Sequence, residues 1–171
     1  DIGTSGAALF GKGKAAIGAL GKMLMDGEAT KRYLALIEAR VSVPGELTSA
    51  VPAKGSSKEA LTRYRPIAAS EKYTLLELEL VTGRRHQIRY QLAMTGWPIL
   101  GDARYRGKSI DDLDHPFLHC HLLSFPQPAS GQSVNINCPL PESLLAQLEN
   151  LGFSTDTIDY DLTWQSGAQS R

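Results

Sequence analysis

The tightest constraint on this chain lies in residues 82–107, TGRRHQIRYQLAMTGWPILGDARYRG. Just before it, Leu76, Leu78 and Leu80 alternate with Glu77 and Glu79, the two-residue period of a strand with one face on a core. Arg84, Arg85, His86, Gln87 and Arg89 then crowd together, and an apolar helix-like segment follows from about Arg85 to Thr95, stopped by Gly96 and Pro98. A Gly101-Asp102 turn and two more arginines, Arg104 and Arg106, come next, with Lys108 beyond them. A strand therefore hands over to a helix inside a dense set of guanidinium groups. The whole chain has zero formal net charge, so this is a local cationic surface, and its simplest partner is a phosphate backbone.

At 171 residues and 42% hydrophobic content the chain is long enough for one domain with its own core. Charge is unevenly placed. Beyond Pro141, Glu142, Glu149, Asp156, Asp159 and Asp161 face only the terminal Arg171, whereas the middle of the chain carries the arginines. Cys120 and Cys138 sit in separate strand-like segments and read as reduced thiols, because no signal peptide points to an oxidising compartment. No apolar run approaches the roughly 20 residues that span a membrane. The expectation is a soluble, cytoplasmic, monomeric protein.

Along the chain, Gly6 to Phe10 reads as a short buried strand and Lys12 to Asp26 as a helix, with Ala15, Ile17, Leu20, Met23 and Leu24 at helical spacing. Thr30 to Val41 reads as a strand. Residues 42–59, VPGELTSAVPAKGSSK and its flanks, read as a mobile, turn-laden excursion on their Pro, Gly and Ser content. Leu61–Ala69 pairs with Tyr73–Val81, and Phe117–Phe125 with Val134–Cys138. Residues 101–115 form a polar loop, and Glu142–Leu151 a helix begun by Pro141. Many strands and few helices, in no strict alternation, predict an α+β fold on a central, mainly antiparallel sheet. One domain is expected over 1–162, with a polar, disordered tail over 163–171.

The central run resembles the GRxHQIRxHLAxxGxPIxGDxxYG segment of the RluA-type pseudouridine synthases, with Gly83, Arg84, His86, Gln87, Ile88, Arg89, Leu92, Ala93, Gly96, Pro98, Ile99, Gly101, Asp102, Tyr105 and Gly107 in place. Asp1-Ile2-Gly3-Thr4-Ser5-Gly6 is similar to the end of that family's HRLDxxTSG motif, and Lys31-Arg32-Tyr33-Leu34-Ala35 to its K-x-Y-x-A strand. FLHCHLLSFPQP and INCPLPESL resemble its later segments, so the likeness spans about Asp1 to Leu151. It departs from the pattern at Gln127-Pro128, where His-Pro is usual, and at Tyr90-Gln91, where Val-His is usual. The His-Arg-Leu of the first motif would precede Asp1, which suggests that the catalytic domain's first part is missing.

The resemblance implies isomerisation of specific uridines to pseudouridine in structured RNA, ribosomal or transfer, without cofactor or metal. It makes Asp1 the nucleophile, Arg89 its ion-pair partner and Tyr33 the aromatic that packs on the target base. Arg84, Arg85, Arg104, Arg106, Lys108 and Lys31 are expected on the RNA, and Thr4, Gly6, His86 and Gln87 as structural groups near the site. The chemistry is consistent with those residue types. A carboxylate is already ionised at neutral pH, and a neighbouring guanidinium offsets the cost of burying it. His115, His119, Cys120, His121 and Cys138 invite a zinc reading, but their spacing fits no common site. Gly11-Lys12-Gly13-Lys14 lacks the rest of a phosphate-loop pattern and reads as a basic turn. The alternative from another class is a catalytically silent RNA-binding module that assists RNA folding or assembly.

Overall fold

The computed structural model describes residues 1–111 and 113–158. Seven strands, β1 (Ser5–Gly6), β2 (Thr30–Ile37), β3 (Gly45–Ala53), β4 (Ser56–Ala69), β5 (Thr74–Leu80), β6 (Leu118–Pro126) and β7 (Ser133–Asn137), form one sheet. Three α-helices accompany it: α1 (Lys14–Met25), α2 (Gln87–Met94) and α3 (Glu142–Asn150). The spatial order is β1-β6-β2-β5-β4-β3, with β7 also on β6. The β1–β6 pair is parallel and the others are antiparallel, so the fold is the expected α+β type. The expected 163–171 tail and the end of the expected 1–162 domain lie outside the described residues.

The core lies where the sequence pattern puts it. Leu34, Leu36 and Ile37 of β2, Leu75, Leu76 and Leu78 of β5, Ile88 and Leu92 of α2, and Phe117 form one buried cluster with Leu144 and Leu148 of α3. Met23 of α1 joins Leu123, Phe125 and Ala29 in a smaller cluster. The remaining apolar face of α1 is thinly covered, since Ile17, Leu24 and Met25 are exposed.

Two segments differ from expectation. Residues 42–59 contribute most of a long hairpin, in which β3 and β4 pair from Gly45↔Tyr64 to Ala53↔Ser56 around a Lys54-Gly55 turn. Its prolines are tolerated because β3 is an edge strand, where a missing N–H costs no ladder hydrogen bond, and Gly55 supplies the positive φ of a two-residue turn. Leu47 and Val51 point inward at strand spacing, a pattern masked by the small and polar residues between them. Conversely, Gly6–Phe10 is not a buried strand. Pairing with β6 stops at Gly6, and Phe10 is exposed. The reason is competition for one edge: β1 takes His119 and Cys120, and β7 occupies β6 from Leu122 onward. Gly6 itself cannot be replaced without distortion, because its φ is 95° and an added Cβ would overlap the Cys120 carbonyl oxygen.

The glutamates of β5 are not solvent-facing as their alternation with leucine suggests. Glu77 is 1% exposed; its carboxylate oxygens lie 2.6 Å from Arg65 Nε and 2.9 Å from His121 Nε2. Next to it, Glu79 accepts from Arg32 and faces Arg63, which also bonds Glu46 of β3. This cross-strand ladder of charge spans β3, β4, β5 and β2. Burial pushes the Glu77 carboxyl up, but hydrogen bonds and charge from His121 and Arg65 outweigh it, and the group ends below the ordinary glutamate value. A carboxyl depressed on folding adds stability above its unfolded pKa of about 4.3, and that contribution disappears as pH falls through the lower folded value. Urea unfolding followed from pH 7 down to pH 3 is therefore expected to show an acid loss of stability that is smaller in Glu77→Gln, which starts less stable at neutral pH.

Candidate active site

The turn between β5 and α2 is built around a buried amide. Gln87 Oε1 accepts from the Thr82 hydroxyl at 2.8 Å and from the Arg84 N–H at 2.9 Å, while its Nε2 donates to the Leu61 carbonyl and the Thr62 hydroxyl. Thr62 in turn donates to Gln91 Oε1 at 2.6 Å, and Gln91 Nε2 donates to the carbonyls of Leu47 and Ala60. All three side chains are buried, and every hydrogen bond is one that water cannot replace without opening the core. Gln91 departs from the family pattern, and here it ties α2 to the β3–β4 hairpin.

This clamp presents a cleft of about 220 Å³ whose polar lining brings together Asp1, Thr4, Lys31, Tyr33, Arg84 and Gln87. Leu80, Ile88 and Leu118 supply its apolar walls. Three distant stretches thus converge: the start of the chain, β2, and the β5–α2 turn. Asp1 is located by β1, which is anchored on β6 through Gly6 and through Ser5 Oγ, 2.8 Å from His119 Nδ1. The other ring nitrogen of His119 lies 2.9 Å from the Cys138 carbonyl and so carries the proton, leaving Nδ1 to accept from Ser5. The Thr4 hydroxyl is buried in the cleft with no hydrogen-bond partner among the described residues.

Tyr33 lies beside the Cys120 thiol, its cross-strand partner. Burial raises the pKa of the phenol, and it likewise pushes the thiol up to about 11, so both stay protonated at neutral pH. Neither Cys120 nor Cys138 is in a disulfide.

Arg89 is placed differently from its expected pairing. Its guanidinium makes a two-pronged bond to Asp102, Nε to Oδ2 and an Nη to Oδ1, both at 2.7 Å, with Asp102 fully buried. The carboxylate nearest Arg89 is therefore that of Asp102 and not that of Asp1. Asp1 Oδ1 instead stands 3.7 Å from His86 Nε2, and His86 Nδ1 lies 3.1 Å from the Tyr105 hydroxyl. Arg89 lies over the Tyr105 ring, 5.3 Å from its centroid. Burial first, then the charges of Arg89, Arg104 and Arg85, hold the His86 imidazole below its ordinary pKa. A neutral ring that accepts from Tyr105 at Nδ1 turns its Nε2–H toward Asp1. His86 takes a left-handed backbone, φ 55°, as the residue capping α2, uncommon without glycine. Asp102 closes the assembly through its own loop, accepting from the N–H groups of Tyr105 and, at its carbonyl, Gly107.

The other expected RNA contacts separate into two groups. Arg84, Arg85 and Arg104 line a second, larger groove of about 650 Å³ next to the first, and the hairpin adds Lys54 and Lys58 to it. Gly83 and Arg84 belong to both cavities. Arg106 is exposed in its own left-handed turn and lines neither, and Lys108 is engaged by Glu38 at 2.6 Å. Lys54 and Lys58 were missed from sequence because their segment read as an unstructured loop. His115 and His121 are held by Pro116 and Glu77, respectively. Among the described residues no set of three His, Cys, Asp or Glu groups converges as metal ligands would, and no helix is long and apolar enough to cross a membrane.

Removing Asp102 would strand a buried guanidinium, which costs about 3–5 kcal/mol where such pairs have been broken. Asp102→Ala is expected to lower unfolding stability in urea by that amount, while Lys108→Ala, at an exposed pair, is expected to leave it nearly unchanged.

The RNA pseudouridylate synthase family profile matches residues 1–94. The uncharacterized RNA pseudouridine synthase YlyB of Bacillus subtilis is 29% identical over 88% of this chain and 54% of its own length. Ribosomal large subunit pseudouridine synthase C of Vibrio parahaemolyticus is 31% identical over 84% of this chain and 51% of its own length. The chain thus spans about half the length of these curated relatives. Among solved structures, human RNA pseudouridylate synthase domain containing 1 superposes with a TM-score of 0.64 at 25% identity, covering 88% of this chain and 69% of that one. Human RNA pseudouridylate synthase domain containing 4 shares the fold with a TM-score of 0.69 at 20% identity, over 83% and 69%. The chain belongs to the RNA pseudouridylate synthase family, in its RluA-type branch.

Proposed function

We propose that this protein isomerises uridine to pseudouridine in structured RNA, with the Asp1 carboxylate as nucleophile. The observation that carries the proposal is the small cleft that puts one carboxylate, Asp1, beside an aromatic, Tyr33, and opens next to a cationic groove. Isomerisation breaks the C1′–N1 bond of uridine, turns the base, joins C1′ to C5, and exchanges the C5 hydrogen for one on N1. A carboxylate that attacks the nucleoside covalently divides this into two easier steps. The target must leave the RNA stack to reach the cleft, at a cost of a few kcal/mol. Stacking on Tyr33, worth roughly 1–3 kcal/mol, offsets much of that cost.

Arg89 acts in this scheme at one remove. Its buried pair with Asp102 holds the loop that carries Tyr105, Tyr105 meets His86 at 3.1 Å, and His86 Nε2–H faces the Asp1 carboxylate across 3.7 Å, longer than a hydrogen bond. Arg84, Arg85 and Arg104, with Lys54 and Lys58, hold phosphates on either side of the flipped nucleotide, and Arg106 adds charge outside the groove. Two relatives bear names for ribosomal large-subunit modification, which makes large-subunit ribosomal RNA the first substrate to try and transfer RNA the second.

Tritium release from RNA labelled at uridine C5 tests the chemistry, since the reaction must displace that hydrogen. Release by the protein and none by Asp1→Ala is expected; equal release by both removes Asp1 from the mechanism. No release from either, on ribosomal or transfer RNA, would favour a silent binding module. Binding gives an independent check. Replacing Lys54, Lys58 or Arg85 by alanine is expected to weaken affinity evenly across sequences. Each change should also flatten the slope of log K against log salt by about 0.7–0.9.

A further inference from the structure

The reaction just proposed needs a group to take the C5 proton, and most of the cleft is unfit for it. Tyr33 and Cys120 are held protonated by burial. Arg84 does not lose its proton in proteins. The Gln87 amide already makes four hydrogen bonds, and Asp1 is committed to the nucleoside.

Lys31 remains. It extends from β2 two residues before Tyr33, on the same face of the sheet, and its Nζ lies over the bare backbone of Gly83, where a Cβ would stand 3.2 Å away. It lines the cleft with Asp1 and Tyr33 and is absent from the outer groove where the phosphate-binding side chains gather. It has no hydrogen bond or ion pair among the described residues, whereas Lys22 and Lys108 each have a carboxylate partner. Burial lowers its pKa, with partial opposition from Cys120, which favours the neutral amine that a base requires.

From this placement we infer that Lys31 is a catalytic base that removes the C5 proton after the new C1′–C5 bond has formed. The inference rests on the isomerase reading above. The C5–H bond breaks toward Nζ, and its electron pair restores the C5–C6 double bond. The N1–C6 π pair moves onto N1, which takes a proton from water, and the resulting ammonium returns its own proton to water. Nothing is oxidised or reduced, and C5 tritium reaches solvent through the exchangeable ammonium.

The test compares the protein with Lys31→Arg and Lys31→Met in single-turnover pseudouridine formation, on RNA carrying hydrogen or deuterium at uridine C5. Arginine keeps the charge but cannot act as a base. Both variants are expected to bind RNA nearly as the parent does, to react roughly 10²-fold or more slowly, and to show a larger deuterium isotope effect because proton removal has become limiting. A Lys31→Arg variant that keeps the parent rate would overturn the inference and make Lys31 an anion anchor. So would a Lys31→Met variant that loses RNA affinity but not its rate at saturation. Absence of pseudouridine from the parent itself would instead defeat the isomerase reading, and this inference with it.

Discussion

The bond between Arg89 and Asp102 is the contact on which the site depends. A fully buried carboxylate is expensive to desolvate, and the two-pronged guanidinium bond, supplemented by the Tyr105 N–H, is what makes it tolerable. In return, two segments that share no regular hydrogen-bonding ladder are locked together: α2 and the loop that follows Gly101. Tyr105 and His86 stand on opposite sides of that lock, and their 3.1 Å contact leads straight to Asp1. The Gln87–Thr62–Gln91 clamp does the same for the other end of α2, fixing it to β3 and β4. The helix is short and carries little amphipathic signal; it is held by polar bonds more than by an apolar stripe.

Much of the fold was legible in the sequence where one face of a strand was apolar. The alternation in β5, the paired strands β6 and β7, and the helix ending at Gly96 could all be read directly. What escaped were elements stabilised by features with no periodicity. The β3–β4 hairpin is rich in Pro, Gly and Ser because it is an edge, and edge strands are under little pressure to look like strands. The burial of Glu77 and the partial burial of Glu79 escaped because alternation says which residues share a face, not whether that face is covered.

For the site, the residue set was legible and its wiring was not. Asp1, Lys31, Tyr33 and Arg84 are far apart in the chain and line one cleft, where Lys31 and Arg84 had been expected on the RNA and Arg89 beside Asp1. The partner of Arg89 could not be told from sequence, because Asp1 and Asp102 both carry a carboxylate, and only the burial of the turn at Gly101 separates them. Lys31 looked like one more cation for RNA. Its distinction is its location, inside the cleft and without a carboxylate, and a string of letters does not carry that. Lys54 and Lys58 show the opposite error, since a hairpin tip lifts them from a presumed loop into the groove.

Strand β1 is only two residues long, pairs on one side, and is the element that locates Asp1. So short an edge opens in local fluctuations far more easily than the sheet interior does. Positional tolerance for a reacting group is well under an ångström. Detachment of β1 from His119 and Cys120 would therefore displace Asp1 without the sheet having to melt. The position of Asp1 and the integrity of the sheet are separable at a single pair of residues, Ser5 and Gly6.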